Sequence, residues 1–362
     1  MSQPPAHYDI AVVGAGQAGL AIGHHLARQG RRFVIFDRAD SIGAAWRSRW
    51  DSLVLFTPRR YDALPELDFP GDPNGYPTRD EVIGYLERYA ETFELPIELG
   101  SKVRRLTSDG ESFVLELDSR VVEAGQVVVA TGPFEVPRIP EFARNLDHAV
   151  VQMHSTDYRS PGAIPEGTVL VVGGGNTGFQ IAEELAGTRR VHLSVGTRQT
   201  PLPQRLLGRD LFWWLVKSRL LEASVDSRLG RRLQYKDTLI GSSPRRAKRR
   251  GVVLRPRAAG AAGQTITLAD ESTLVVDAVI WATGYVFDRS WIDVPVEDEE
   301  GRVRHRRGVT DTKGLYFLGL PWQHTRGSAL LGWVKDDAEY IAAEIARAAT
   351  RISKPPAIRT AA

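Results

Sequence analysis

Two glycine-rich turns of identical spacing, each leaving an apolar strand and opening a helix, predict an α/β fold. The expected architecture is two Rossmann-like domains, each a doubly wound parallel sheet, with the second inserted into the first. The first turn lies in "IAVVGAGQAGLAIGHHL", Ile10 to Leu26, and the second in "VLVVGGGNTGFQIAEEL", Val169 to Leu185. A third observation is that "QVVVATG" and "DAVIWATG" close the two strand series, so the order glycine loop, strands, ATG occurs twice. A chain of 362 residues also exceeds what one hydrophobic core usually serves. The expected boundaries are 1–155 with 286–362 for one unit and 156–285 for the inserted unit.

The elements justify this order. An apolar run ends in the first glycine turn, a helix continues to Arg28, and Gly30 sits where a C-terminal cap belongs. "RRFVIFD" is a buried strand, which completes a βαβ unit. An irregular, aromatic segment rich in Pro and Gly follows, up to Pro77. Thr78 and Glu81 then form a capping box for the helix "EVIGYLERYAETF". From Lys102 to Ala130 the pattern alternates, with a turn at Asp109-Gly110. The second glycine unit covers Thr168 to Val195, and a basic stretch, "PRRAKRRGVVLRPR", precedes another turn-linked strand pair. The chain closes with "GLYFLGL" and the helix "DDAEYIAAEIARAA".

Composition narrows the function. With 47 basic against 44 acidic residues and no basic stripe interleaved with aromatics, nucleic acid is not an expected partner. The chain has no cysteine, which excludes disulfides, thiolate metal sites and a CxxC relay within it. Its eight histidines fall in no ligand spacing, so no metal is expected. "LFWWLV", Leu211 to Val216, is far too short for a membrane span, and "MSQPPAHYD" does not read as a secretory leader. A cytoplasmic protein is the expectation.

In Gly14-Ala15-Gly16-Gln17-Ala18-Gly19 each glycine has its own task. Gly14 permits the tight turn, Gly16 lets backbone approach a pyrophosphate, and Gly19 allows close helix–strand packing. Asp37, followed by Arg38, lies 23 residues after Gly14, where a carboxylate can accept hydrogen bonds from an adenosine ribose. The second loop, Gly173-Gly174-Gly175-Asn176-Thr177-Gly178, has no acid at the matching position. Gly196 stands there, followed by Thr197 and Arg198, which tolerate or favour a 2′-phosphate. The simplest assignment is FAD in the first loop and NADPH in the second, with NADH also admissible.

These loops, "GAAW" at Gly43 to Trp46, "LPQRLLGRDLFWWL" at Leu202 to Leu215 and "WATGY" at Trp281 to Tyr285 resemble the flavin-containing monooxygenases with two dinucleotide-binding domains. The short bacterial members, also described as flavoproteins linked to cation transport, are the most similar. The resemblance implies that Ala45 and Trp46 lie along FAD and that Val103 meets the adenine. It puts Ala130-Thr131-Gly132 and Ala282-Thr283-Gly284 at the crossings between domains. It also implies a helix N-terminus at Ser328, Ala329 and Leu330 against the flavin. Two departures stand out. The family fingerprint FxGxxxHxxx(Y/W) keeps His154 and Tyr158 here, but His148 and Val150 replace Phe and Gly. The TN pair of many eukaryotic members is Thr57-Pro58, and proline brings neither a side-chain donor nor an N–H.

By resemblance, the activity is NAD(P)H-dependent monooxygenation of a small sulfide, amine or ketone through a flavin C4a-hydroperoxide, with O2 as co-substrate. An NAD(P)H oxidoreductase or oxidase without oxygen transfer, and a flavin-binding redox sensor, are the alternatives; a homodimer is left open. Outside the loops, flavin-side packing is expected of Trp46 and Trp50. His154 is expected to be structural, and His24 and His25 packing or surface residues. "LFWWLV" reads as interdomain or core packing rather than a substrate entrance, and Arg245 to Arg250 as a solvated face.

Overall fold

The computed structural model describes residues 5–234 and 238–352; the ends of the first expected unit, 1–4 and 353–362, lie outside them. Ala6–Val13 is buried from Ile10 onward and occupies the middle of a nine-stranded sheet. Val121–Val129 and Phe33–Phe36 flank it in parallel, and Leu315–Phe317 and Ile97–Glu98 extend the parallel set on either side. Strands buried on both faces read as continuous apolar runs, as "FVIF" and the valines 127–129 do. Val103–Ser108 and Phe113–Leu117 form the expected hairpin, with Asp109 Oδ1 accepting from the Glu111 and Ser112 amides in the turn. Helix Gln17–Arg28 packs against Val334–Ile352, and Gly30 takes φ +64° just past its end. The capping box of helix Arg79–Thr92 is formed in both directions.

The second sheet is five-stranded and wholly parallel, in the order Val253–Arg255, Arg190–Ser194, Thr168–Val172, Ala278–Trp281, Val151–His154. The last strand lies on the N-terminal side of residue 156 in the chain. Ala143, Leu146 and Val150 also pack with Leu170, Val172 and Trp281, so the second sheet draws in chain from before the expected boundary. An antiparallel pair, Val136–Pro137 with Tyr285–Val286, joins the two crossings.

The repeat read from sequence is atomic. A Cβ on Gly14 would stand 2.5 Å from the Ala130 carbonyl oxygen, and one on Gly173 would stand 2.1 Å from that of Ala282. A Cβ on Gly19 would lie 1.8 Å from the Gly14 oxygen, and one on Gly178 would lie 1.9 Å from the Gly173 oxygen. Each ATG turn thus closes on the first glycine of its own loop, and each third glycine is required by the helix lying on that loop.

Candidate cofactor sites

The first loop opens into a cavity of about 520 Å³. Gly14, Gly16, Gln17 and Ala18 form its floor, and Asp37 and Arg38 stand at the end of the adjacent strand. Gly16 caps the helix with no side chain in the way; a Cβ there would meet nothing within 4 Å. The helix N-terminus thus presents free space and amide donors, the arrangement that holds a pyrophosphate. Asp37 is oriented by two backbone amides, Ala15 N–H at 2.6 Å and Ala39 N–H at 2.8 Å. Each carboxylate oxygen keeps capacity for a further donor such as a ribose hydroxyl. Ala45, Trp46, Val103, Thr131 and Ala329 also line this cavity. Gly19 lies beneath the loop rather than in the cavity, as its packing role requires.

The C-terminal segment differs from expectation. Residues Arg326–Ala329 form one 3₁₀ turn, and the helix begins only at Val334. Ser328 is buried, and its Oγ accepts from the His324 and Thr325 amides at 3.0 Å, so it closes the turn instead of facing the cavity. Leu330 packs with Tyr61, Phe212 and Trp333. Gly332 forces this path, because it lies against the Tyr61 carbonyl, where a Cβ would be 1.8 Å away. Trp50 also departs from its expected place: it is 5% exposed and sits among Tyr158, Ile164 and Val169 in the core of the second sheet.

Sequence reasoning missed Glu135 and Lys102 on the cavity wall. Burial pushes the Glu135 carboxyl up to about 7, although its Oε2 accepts the Asp288 amide at 3.0 Å. Its one sequence signal is its place just beyond the ATG turn.

Beside the second loop, reached by Phe179 of its helix and by the strand end at Val195 but not by the loop glycines themselves, lies a cavity of about 810 Å³ lined by Thr197, Arg198, Arg245, Arg246 and Arg249. The arginine run is exposed, as a solvated face should be, and Arg245, Arg246 and Arg249 also share this cavity wall with Arg198. Ser243 caps the short helix Pro244–Arg249, and Arg246 reaches back to the Gly241 carbonyl and to buried Glu183, at 2.8 and 3.0 Å. Of the other expected nucleotide residues, Gly173 and Gly178 shape the loop, and Gly175 caps its helix as Gly16 does. Thr177 lies in the first turn of that helix. Asn176 is committed to the protein: its amide accepts the Ile240 N–H at 2.9 Å and donates to the Thr238 carbonyl. Ala282 packs on Gly173, Thr283 Oγ1 donates to the Arg138 carbonyl, and Gly284 offers its carbonyl to His154 Nε2 at 3.0 Å.

The seam between the sheets is polar and aromatic. His154 is 1% exposed, and burial lowers its pKa below the ordinary histidine value, so it stays neutral at pH 7. Tyr285 bonds the Thr156 hydroxyl at 2.7 Å and lies under the Arg49 guanidinium at 5.2 Å. "LFWWLV" splits between roles. Leu211 and Phe212 are buried, Phe212 stacking on Phe56 of the first unit at 5.9 Å, while Trp213 and Trp214 are half-exposed. Gln204 reaches the Phe56 carbonyl at 2.7 Å from the same segment. Nearby, Thr57 Oγ1 donates to Asp62 Oδ1 at 2.6 Å in the interior, and Asp62 Oδ2 has no partner. Burial pushes this carboxyl up to about 8.

Residues 11–205 match the family model of the pyridine nucleotide-disulphide oxidoreductases. The CzcO-like oxidoreductase of Geobacillus kaustophilus is 47% identical over 340 residues, covering 93% of this chain and 98% of that protein. The probable indole-3-pyruvate monooxygenase YUCCA7 of Arabidopsis thaliana is 30% identical, over 92% of this chain and 86% of its own. Among solved structures, a flavin-containing monooxygenase from Stenotrophomonas maltophilia superposes with a TM-score of 0.79 at 27% identity, covering 94% of this chain and 99% of that one. With two Rossmann-like units, the loops that fit FAD and NAD(P)H, and these relatives, the chain belongs to the CzcO-like, flavin-containing-monooxygenase-type branch of the pyridine nucleotide-disulphide oxidoreductase family and is an FAD-dependent oxidoreductase.

Proposed function

We propose that this chain is an NADPH-dependent flavin monooxygenase that keeps FAD on the first loop and takes NADPH transiently on the second. One observation carries the reading: the strand after the first loop ends at the carboxylate of Asp37, while the strand after the second leads to Arg198, which shares a cavity wall with Arg245 and Arg249. A carboxylate favours a free ribose hydroxyl and repels a phosphate, whereas guanidinium groups bind a 2′-phosphate in bidentate fashion.

Bound FAD supplies the hydride acceptor and the centre that reacts with O2. The protein's share is to hold the adenosine end through Asp37, to cradle the pyrophosphate on the amides beyond Gly16, and to seat Trp46 and Ala329 against the rest. Arg198 and its neighbours anchor the reductant, and Arg49 over Tyr285, with Gln204 and Phe212 on Phe56, holds the two units together. No nucleophile–base pair is needed for this division of labour. The zero cysteine count rules out disulfide reduction through an internal thiol pair. Oxygen transfer to a sulfide, amine or ketone is supported by the monooxygenase relatives. Pro58 is the specific feature that favours the second reading, an oxidoreductase without oxygen transfer, because it removes a donor that many family members keep beside the flavin.

The test is to reduce the purified protein anaerobically with NADPH, mix it with O2 in a stopped-flow instrument, and assay a test sulfide. Monooxygenation predicts an oxygen-dependent transient before the oxidised spectrum returns, together with sulfoxide. Direct return of the oxidised spectrum with stoichiometric H2O2 establishes the second reading instead.

A further inference from the structure

The strands Arg205–Leu206 and Arg209–Asp210 are joined by Leu207 and Gly208, with φ of +49° and +76°. A two-residue turn with both central residues left-handed is normally made by Asn-Gly or Asp-Gly, because a larger side chain is crowded there. Leu207 holds this conformation while 82% exposed, the largest value of any large hydrophobic side chain in the described residues. Leu206 beside it is 46% exposed. Neither strain nor exposure at this tip helps the fold, a combination that marks a surface made for a partner.

The surroundings state the partner's chemistry. Trp214 Nε1 donates to the Leu206 carbonyl at 2.9 Å, and Trp213 meets Trp214 edge to face at 4.7 Å. Two half-exposed indoles therefore stand behind the leucine tip. Around them Arg205, Arg209, Lys217 and Arg219 are exposed, with the Arg209 guanidinium 5.4 Å from the Trp213 ring centre. Residues 205–219 hold these four basic side chains against the one acid Asp210.

We propose that the Leu206–Leu207 tip, with Trp213 and Trp214 behind it, docks this protein onto an anionic lipid bilayer. Leucines enter the acyl boundary, indoles rest at headgroup depth, and the basic rim meets the surface charge. A second copy of this chain on the same patch would set one basic rim against another. No helix among the described residues is long and apolar enough to cross a membrane, so the contact is peripheral. This inference is independent of whether oxygen is transferred.

The experiment floats the FAD-loaded full chain with vesicles of phosphatidylcholine containing phosphatidylglycerol, and with phosphatidylcholine alone. Association is expected with the anionic vesicles, weakening as salt rises, with a blue shift of tryptophan emission. Leu207→Gly relieves the left-handed strain and removes the anchor together. It is expected to melt at least as high as the parent and to bind anionic vesicles about tenfold more weakly. Binding by Leu207→Gly equal to that of the parent overturns the proposal, as does equal parental binding to both vesicle types. A Leu207→Gly change that dissociates a dimer by light scattering, with vesicle binding unaltered, gives the tip to a second copy and also overturns it.

Discussion

The Asp62 carboxyl accepts from the Thr57 hydroxyl on one oxygen and leaves the other without a partner in the interior. Its carboxyl is raised from 3.8 to about 8, so the folded state holds a proton that the unfolded state gives up earlier. Its contribution to stability is therefore full below pH 3.8 and is lost as pH rises toward about 8. Asp62→Asn is expected to flatten the dependence of melting temperature on pH across that window, and an unchanged slope would show that Asp62 ionises normally. Asp37→Ala removes the acceptor beyond the first loop and is expected to weaken FAD by about ten- to hundredfold in a titration of apoprotein. Arg198→Ala is expected to raise KM for NADPH by about tenfold while changing KM for NADH little; equal effects would remove Arg198 from 2′-phosphate recognition. Asp37 and Arg198 were legible because loop spacing fixes the strand end that follows. That the exposed Arg245 and Arg249 share a cavity with Arg198 was not, since only the cap at Ser243 and the Arg246–Glu183 pair set their helix there.

At the scale of elements, the two glycine loops give paired predictions. A methyl at Gly19 or Gly178 would overlap the carbonyl of the first glycine in its own loop. Gly19→Ala is expected to yield protein that loses FAD on gel filtration. Gly178→Ala is expected to keep FAD but lose most of its reduction by NADPH; retention of normal reduction would detach the second loop from nicotinamide binding. The strand–turn–helix character of both loops was readable because apolar runs and glycine spacing are local signals. The turn at Arg326–Ala329 was not, because the contact of Gly332 with the Tyr61 carbonyl is tertiary and overrides the helical look of "SALLGWV". Trp50 escaped for the same reason: an aromatic residue in an irregular loop carries no sign of which sheet will bury it.

For the molecule as a whole, the sequence repeat announced two units of one kind, and the structure adds how they are clasped. Residues 141–154 contribute to the second sheet before the second glycine loop begins. Tyr285 under Arg49, and Gln204 and Phe212 against Phe56, then tie that unit to the first across the seam, with His154 bracing the crossing at Gly284. His154→Ala is expected to slow flavin reduction several-fold without loss of FAD, since it loosens the crossing and touches neither loop. The central claim is that one loop keeps the flavin while the other brings the reductant to it. Anaerobic stopped-flow mixing of the FAD-loaded protein with NADPH, run beside Gly178→Ala, tests that claim most directly. The account predicts rapid bleaching of the oxidised flavin by one equivalent of NADPH in the parent and its loss in the variant; no bleaching in the parent, or equal bleaching in both, would contradict it.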